Sequence, residues 1–131
     1  MIVLDASAAV DLLLGREPEA GWVATQILRG PLRAPHLIDV EVPSALRRRV
    51  LRREMSARRA VLALEAFAEL RLRRYPHVQL LDRIWELHRT LTAYDAAYVA
   101  LAEVLDCPLV TTDHALGQAA GHRAGVEAFP G

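Results

Sequence analysis

Three apolar residues that stop at a carboxylate, Ile2-Val3-Leu4-Asp5, frame what this chain can become. Ile2 and Val3 are β-branched, and so short an apolar run reads as a strand buried on both faces. The pattern returns near the other end, where Pro108-Leu109-Val110-Thr111-Thr112 runs into Asp113. Ligands of open α/β sheets bind in the crevice beyond the carboxyl ends of the strands. Asp5 and Asp113 are therefore expected at that edge.

The segments between these strands are mostly helical in spacing. Asp5-Ala6-Ser7 is a turn into a first helix carrying Ala8, Ala9, Leu12 and Leu13, ended by Gly15 and Pro18. A second helix is predicted over Glu19 to Leu28, with Trp22 as a core residue, and Gly30-Pro31 breaks it. A short strand Leu32 to Pro35 precedes a helix from His36 to about Arg53. Its apolar stripe is Ile38, Val42, Ala45, Leu46 and Val50, and Glu41 falls inside that stripe. Pro43 predicts a kink there or a late helix start. Ser56 caps a helix to about Leu70 with Val61, Leu64, Phe67 and Ala68 inward. Arg71 to Tyr75 is a further strand candidate. Val78, Leu81, Ile84, Trp85, Leu87 and Leu91 trace another amphipathic helix, with Trp85 in the core. Thr92-Ala93-Tyr94-Asp95 has capping-box spacing, and the helix it opens to Leu105 is apolar on nearly every side, so it should be central. A short helix from His114 to about Ala120 and a last strand, Val126 to Phe129, complete the series. Helices alternating with short apolar strands predict an α/β fold with a parallel sheet. At 131 residues one domain, 1–131, is expected. About two-thirds of its unfolded surface can be buried, so folding needs neither a metal nor a disulfide.

Four acids then stand out. Asp5, Asp95 and Asp113 each have an ordinary reading as cap or turn residues, and Glu41 as the partner of a nearby Arg. Together they pose a larger problem. Two carboxylates ~4 Å apart repel by roughly 4 kcal/mol at an effective dielectric of ~20. Four at one edge either take up protons or are neutralised by a cation. All-oxygen ligation favours Mg²⁺ or Mn²⁺, and a metal-activated water is a nucleophile for phosphorus.

Composition removes competing chemistries. All sixteen positive charges are Arg, balanced by sixteen acids. Without Lys there is no P-loop lysine and no Schiff base. A phosphatase of the haloacid-dehalogenase type fails on the same count, and also because Ser7 stands where its second acid would be. One cysteine, Cys107, excludes an internal disulfide and a cysteine-rich zinc site. No basic leader and no run of ~20 apolar residues is visible, so a cytoplasmic protein without a membrane span is expected.

At these residues the chain resembles the PIN-domain ribonucleases of the type that act as VapC toxins in type II toxin–antitoxin pairs. The matching pieces are Ile2 to Ser7, Leu37 to Val42, Leu91 to Ala102 and Pro108 to Asp113. The resemblance implies a three-layer α/β/α domain with a short central parallel sheet. It implies that Asp5, Glu41, Asp95 and Asp113 are the acidic metal-binding and catalytic set, with Ser7 and Thr111 as supporting hydroxyls. It further implies Mg²⁺- or Mn²⁺-dependent cleavage of phosphodiester bonds in single-stranded or loop RNA, tRNA among the targets. A homodimer and a cognate VapB-type antitoxin that blocks the pocket are implied as well. In-line attack would leave a 3′-hydroxyl and a 5′-phosphate. The alternative is a catalytically silent member that binds RNA or its antitoxin without cutting.

The Arg-rich stretch from Ser44 to Arg59 is either a solvated face or a phosphate-binding rim. The candidates for RNA contact are Arg47, Arg48, Arg52 and, farther along, Arg73. His36, His77, His88, His114 and His122 show no metal spacing and are expected as surface or cap residues. Asp11, Asp39 and Asp106 are expected to face solvent or sit in turns. Tyr94 and Tyr98, four apart, are expected to pack in the core or a dimer rather than to stack on bases.

Overall fold

A computed structural model describes residues 1–131. In chain order the elements are β1 (Ile2–Leu4), α1 (Ala6–Leu14), α2 (Glu19–Ile27), β2 (Leu32–Pro35), α3 (Ile38–Leu51), α4 (Ala57–Glu69) and β3 (Leu72–Tyr75). A 3₁₀ turn (Val78–Leu80) leads into α5 (Leu81–Glu86), followed by α6 (Ala93–Leu105), β4 (Leu109–Thr111), α7 (His114–Gln118) and β5 (Val126–Ala128). The strands form one parallel sheet in the order β3-β2-β1-β4-β5. The first strand is thus the middle one, fully buried at Ile2, Val3 and Leu4. α1 packs with α2, α3 and α4 in one layer, while α6 lies against β1 and β2 with α5 beside it. This is the three-layer α/β/α architecture, and the seven consecutive residues Ala96 to Ala102 of α6 are all buried, as its all-round apolar sequence predicts.

The chain runs outward from β1 to β2 and β3, then returns across the sheet to β4. The reversal puts a crevice between the carboxyl ends of β1 and β4, the place where α/β sheets bind ligands. Val3 pairs with Leu109 and Leu4 with Val110, so Asp5 and the residues after Thr111 leave the sheet side by side.

Local signals set most helix ends. Asp5 accepts the Ala8 N–H at 2.9 Å, Ser56 the Arg59 N–H at 3.1 Å, and Thr92 the Asp95 N–H at 3.1 Å. Gly15 closes α1 in the left-handed region at φ 62°. α3 has no side-chain cap of its own; the Leu37 N–H donates to His77 Nε2 at 2.9 Å. α3 runs unbroken through Pro43 from Ile38, so the predicted late start does not occur.

Two helices show a different face from the one predicted. In α4 the inward residues are Ala63 and Phe67, with Ala60 and Leu64 partly buried; Val61 and Ala68 are exposed. The Val78–Leu91 helix is shorter than expected and rotated. Leu80, Leu87 and Leu91 are buried with Ile84 beside them, whereas Val78, Leu81 and Trp85 face out. Trp85, expected in the core, is 70% exposed and stacks on His88 at 4.2 Å. Two apolar stripes lie side by side in this segment, and hydrophobicity does not choose between them. A charge does: Arg83 donates from Nε and Nη2 to Glu103 of α6 at 2.7 and 2.9 Å, which turns the 80/84/87/91 stripe inward. The Glu103 side chain is 1% exposed, and the Arg83 hydrogen bonds hold its carboxyl below the usual range.

Arg83→Met keeps the apolar stem and leaves the Glu103 carboxylate with only the Arg123 N–H at 2.9 Å, so the protein is expected to lose about 1.5–3 kcal/mol of stability at pH 7. Because the folded Glu103 pKa is depressed, that contribution is present above the unfolded pKa and disappears as pH falls through the folded one. Urea unfolding of both proteins at pH 7 and pH 3.5 measures it; an undiminished gap at pH 3.5 would remove the ion pair as its cause.

Candidate active site

Asp5 is 5% exposed at the end of β1. Ser7 Oγ donates to its Oδ1 at 2.8 Å, the Ala8 N–H donates to the same oxygen at 2.9 Å, and Thr111 Oγ1 donates to Oδ2. Each hydroxyl also accepts a backbone N–H from the chain leaving β4: Ser7 Oγ from Thr112 at 3.3 Å and Thr111 Oγ1 from Asp113 at 2.9 Å. The Asp5 charge is thereby spread onto the loop that carries Asp113. Three hydrogen bonds to a carboxylate should lower its pKa. Burial outweighs them and, with the charge of Asp95 added, lifts Asp5 from 3.8 to about 6.

Glu41 reaches the same place from α3. Tyr98 of α6 donates its phenol proton to Glu41 Oε1 at 2.6 Å. Burial and the Asp95 charge push Glu41 up, while the Tyr98 bond and the nearby Arg48 oppose the shift. Burial and the adjoining carboxylates push Tyr98 far upward, so the phenol stays protonated and remains a donor. Asp95, in the first turn of α6, is raised by burial and by the charge of Asp113, against the Thr92 hydroxyl. Asp113 caps α7 by accepting the Ala115 N–H at 2.9 Å. Asp95 is the common member: Asp5 and Glu41 both feel its charge, and it feels that of Asp113.

All four acids line one cleft of about 680 Å³ at the β1/β4 crevice, together with Ser7. Thr111 is fully buried beneath it. Of the arginines singled out from sequence, Arg48 lines the cleft; Arg47 and Arg52 are exposed on or just after α3 outside it, and Arg73 sits on the far strand β3 with its guanidinium over Tyr75 at 5.3 Å. Arg49, from the same Arg-rich stretch, and Arg16, which the sequence did not single out, also line the cleft. Asp11, expected to face solvent, is 8% exposed; it lines the same cleft and accepts the Thr112 hydroxyl at 2.7 Å. The signal that could have found it is its place four residues after Ser7, on one face of α1. Tyr98 was expected merely to pack. Its spacing of three from Asp95 places both on one side of α6, but its bond to Glu41 follows only from the packing of α3 and α6. Asp39 is at the surface as expected, paired with Arg74 at 2.9 Å.

The donor set suits a hard divalent cation. Every candidate ligand is a carboxylate oxygen, and the cleft is lined by five acidic and three arginine side chains, a formal excess of two negative charges. No three of the chain's His, Cys, Asp and Glu side chains are clustered tightly enough to grip an ion as they stand. The residues therefore fit the group in chemistry and charge, with the carboxylates on four separate elements.

A parallel α/β sheet with acids from four elements meeting at its crevice defines a class. The PIN domain family model matches residues 2–122, and the chain belongs to that family. Within it, the Ribonuclease VapC9 of Mycobacterium tuberculosis is 46% identical over 113 residues, 86% of each chain. The sarcin–ricin-loop-cleaving toxin VapC20 of Mycobacterium tuberculosis has the same fold at a TM-score of 0.70, with 19% identity over 94% of this chain and 97% of that one. VapBC2 of Rickettsia felis, solved with a DNA fragment of its promoter, superimposes at a TM-score of 0.69, with 12% identity over 98% of both chains.

Two outcomes follow from the site's electrostatics. The folded Asp5 pKa lies above its unfolded value, so the protonated form favours folding, and in metal-free protein about 3 kcal/mol is lost as pH rises from about 4 through about 6. Asp5→Asn should lack this loss and, without metal, be more stable than wild type at pH 7 and equal to it near pH 3.5, as denaturant titrations at the two pH values would show. Tyr98→Phe combined with Glu41→Gln in a double-mutant cycle should give a coupling of about 1–2 kcal/mol; additive losses would mean that the 2.6 Å bond carries no energy.

Proposed function

We propose that this protein is a divalent-metal-dependent endoribonuclease of the VapC toxin type, hydrolysing phosphodiester bonds in single-stranded or loop RNA. One observation carries the reading: Asp5, Glu41, Asp95 and Asp113 come from four elements to one cleft and are electrostatically coupled through Asp95. The ribonuclease names of the relatives agree with it. Mg²⁺ or Mn²⁺ is the proposed cofactor, held by these four carboxylates. When bound, it supplies Lewis-acid polarisation of the phosphoryl oxygen and activation of water.

The chain's own residues do the remaining work. Ser7, Thr111 and the Ala8 N–H keep Asp5 in one orientation, and Tyr98 does the same for Glu41. Asp113, which caps α7 and lines the cleft, is the group to orient the attacking water. Arg16, Arg48 and Arg49 offset the acidic floor and bind the flanking phosphates bidentately. Arg47, Arg52 and Arg73 extend that contact along the RNA. In-line attack leaves a 3′-hydroxyl and a 5′-phosphate without a covalent protein intermediate. The proposed setting is cytoplasmic, as a single domain over residues 1–131 and a homodimer. A VapB-type antitoxin occupies the cleft, and structured RNA such as tRNA is the substrate. No helix is long and apolar enough to cross a membrane.

A labelled single-stranded RNA is expected to be cut on adding Mn²⁺ and protected by EDTA, with Asp95→Asn inactive by at least a hundredfold. Binding that survives EDTA while no Mn²⁺-dependent product forms would identify a silent, binding-only member. Arg48→Gln should reduce the slope of log K for RNA against log [salt] by about 0.7; an unchanged slope would take Arg48 off the phosphate path.

A further inference from the structure

Tyr94 is the aromatic side chain of the cleft that neither the core nor the carboxylates employ. It stands in the first turn of α6, one residue before Asp95, lines the cleft, and is 62% exposed. Its neighbour one turn on, Tyr98, is buried and tied to Glu41. Two tyrosines on one helix face therefore have opposite environments, one locked beneath the acids and one open above them. Across the cleft, α3 presents Val40, 63% exposed and likewise a lining residue. The site thus has a charged floor, a rim with Arg16, Arg48 and Arg49, and exposed aromatic and apolar surface beside the acids.

These surfaces ask for a ligand that is anionic at one end and flat and apolar on its face. A nucleotide is such a ligand: its phosphate suits the guanidinium groups and its base suits the ring. Base–aromatic stacking tolerates any sequence because every base has a π-face. A base inside a duplex already has both faces covered, so a ring of this kind can engage only an unpaired nucleotide. Building on the nuclease reading above, we infer that Tyr94 is a stacking platform for the unpaired base adjoining the scissile phosphate, and so the residue that makes the site select single-stranded or looped RNA. It is a specificity-determining residue; it has no part in holding the ion or moving a proton.

The test uses the full chain, Mn²⁺ and a single-stranded oligoribonucleotide, with Tyr94→Phe and Tyr94→Leu compared with wild type. Tyr94→Phe keeps the ring and should keep the wild-type KM. Tyr94→Leu should raise KM about tenfold or more with kcat within about twofold. An abasic residue at the position next to the cut should raise KM for wild type by a similar factor and add nothing in Tyr94→Leu. On Asp5→Asn protein in EDTA, where no cutting is expected, a 2-aminopurine at that position should be quenched on binding, and the quench should vanish when Tyr94→Leu is added. A wild-type KM in Tyr94→Leu, or an abasic penalty that persists in it, overturns the stacking role and leaves the nuclease reading standing. If neither wild type nor Tyr94→Phe cuts the oligonucleotide, the two fall together, and a shift in sedimentation of Tyr94→Leu would then assign the ring to a protein contact.

Discussion

A buried carboxylate at the end of the central strand is the constraint around which this molecule is arranged. Asp5 sits where water cannot reach it freely, and three donors are drawn in to serve it: Ser7, the Ala8 amide and Thr111. Two of those donors lie in the first turn of α1, and the third belongs to β4. The hydrogen bonds that keep Asp5 ionisable therefore also fix the angle at which α1 leaves the sheet and the way the β4–α7 loop turns. Burial still wins, which leaves Asp5 near pKa 6, a poised group in place of an inert one.

Around it the protein gathers more negative charge than a fold needs for its own sake. Glu41, Asp95 and Asp113 each sit close enough to share a raised pKa or cause one, and Asp11 adds a fifth carboxylate to the same walls. Such a concentration opposes folding, because domains are stable by only ~5–15 kcal/mol. The structure offsets it in part with Arg16, Arg48 and Arg49 and with the Tyr98 phenol. What it leaves uncompensated matches one divalent cation. Elsewhere several acids are paired with arginine: Glu103 with Arg83, Asp39 with Arg74, and Glu127 with Arg29. The contrast separates charges that hold the fold from charges that serve the cleft.

The same arrangement explains how VapBC2 of Rickettsia felis can share this fold at 12% identity. The sheet needs only short β-branched or aliphatic runs, and the site needs a few acids at strand and helix starts. Neither α4 nor α5 supplies a residue to the cleft.

Much of this was legible in the residues themselves. Strand runs of period one ending in Asp, helix caps at Ser56 and Thr92, and the all-apolar Ala96–Ala102 stretch are local signals, and local backbone chemistry obeys them. Glu41 was legible because a carboxylate on an apolar stripe needs a partner. The partner itself, Tyr98, was not, because the pairing spans 57 positions and only the packing of α3 on α6 makes it. Asp11 was read as solvent-facing for the same reason: its place four residues after Ser7 puts it on the right side of α1, but the Thr112 hydroxyl that it accepts lies 101 positions away. The rotation of α5 depended on the Arg83–Glu103 bond, and where two apolar stripes compete a single buried charge decides between them. Sequence alone thus determined the elements and their class, which follow from side-chain periodicity; it offered Asp5 and Asp113 from their strand ends, and the full set with Glu41 and Asp95 came from the resemblance to PIN-domain ribonucleases. Which strands became neighbours, and hence which groups hold each acid in place, was left to the tertiary structure, because those contacts join residues far apart in the chain.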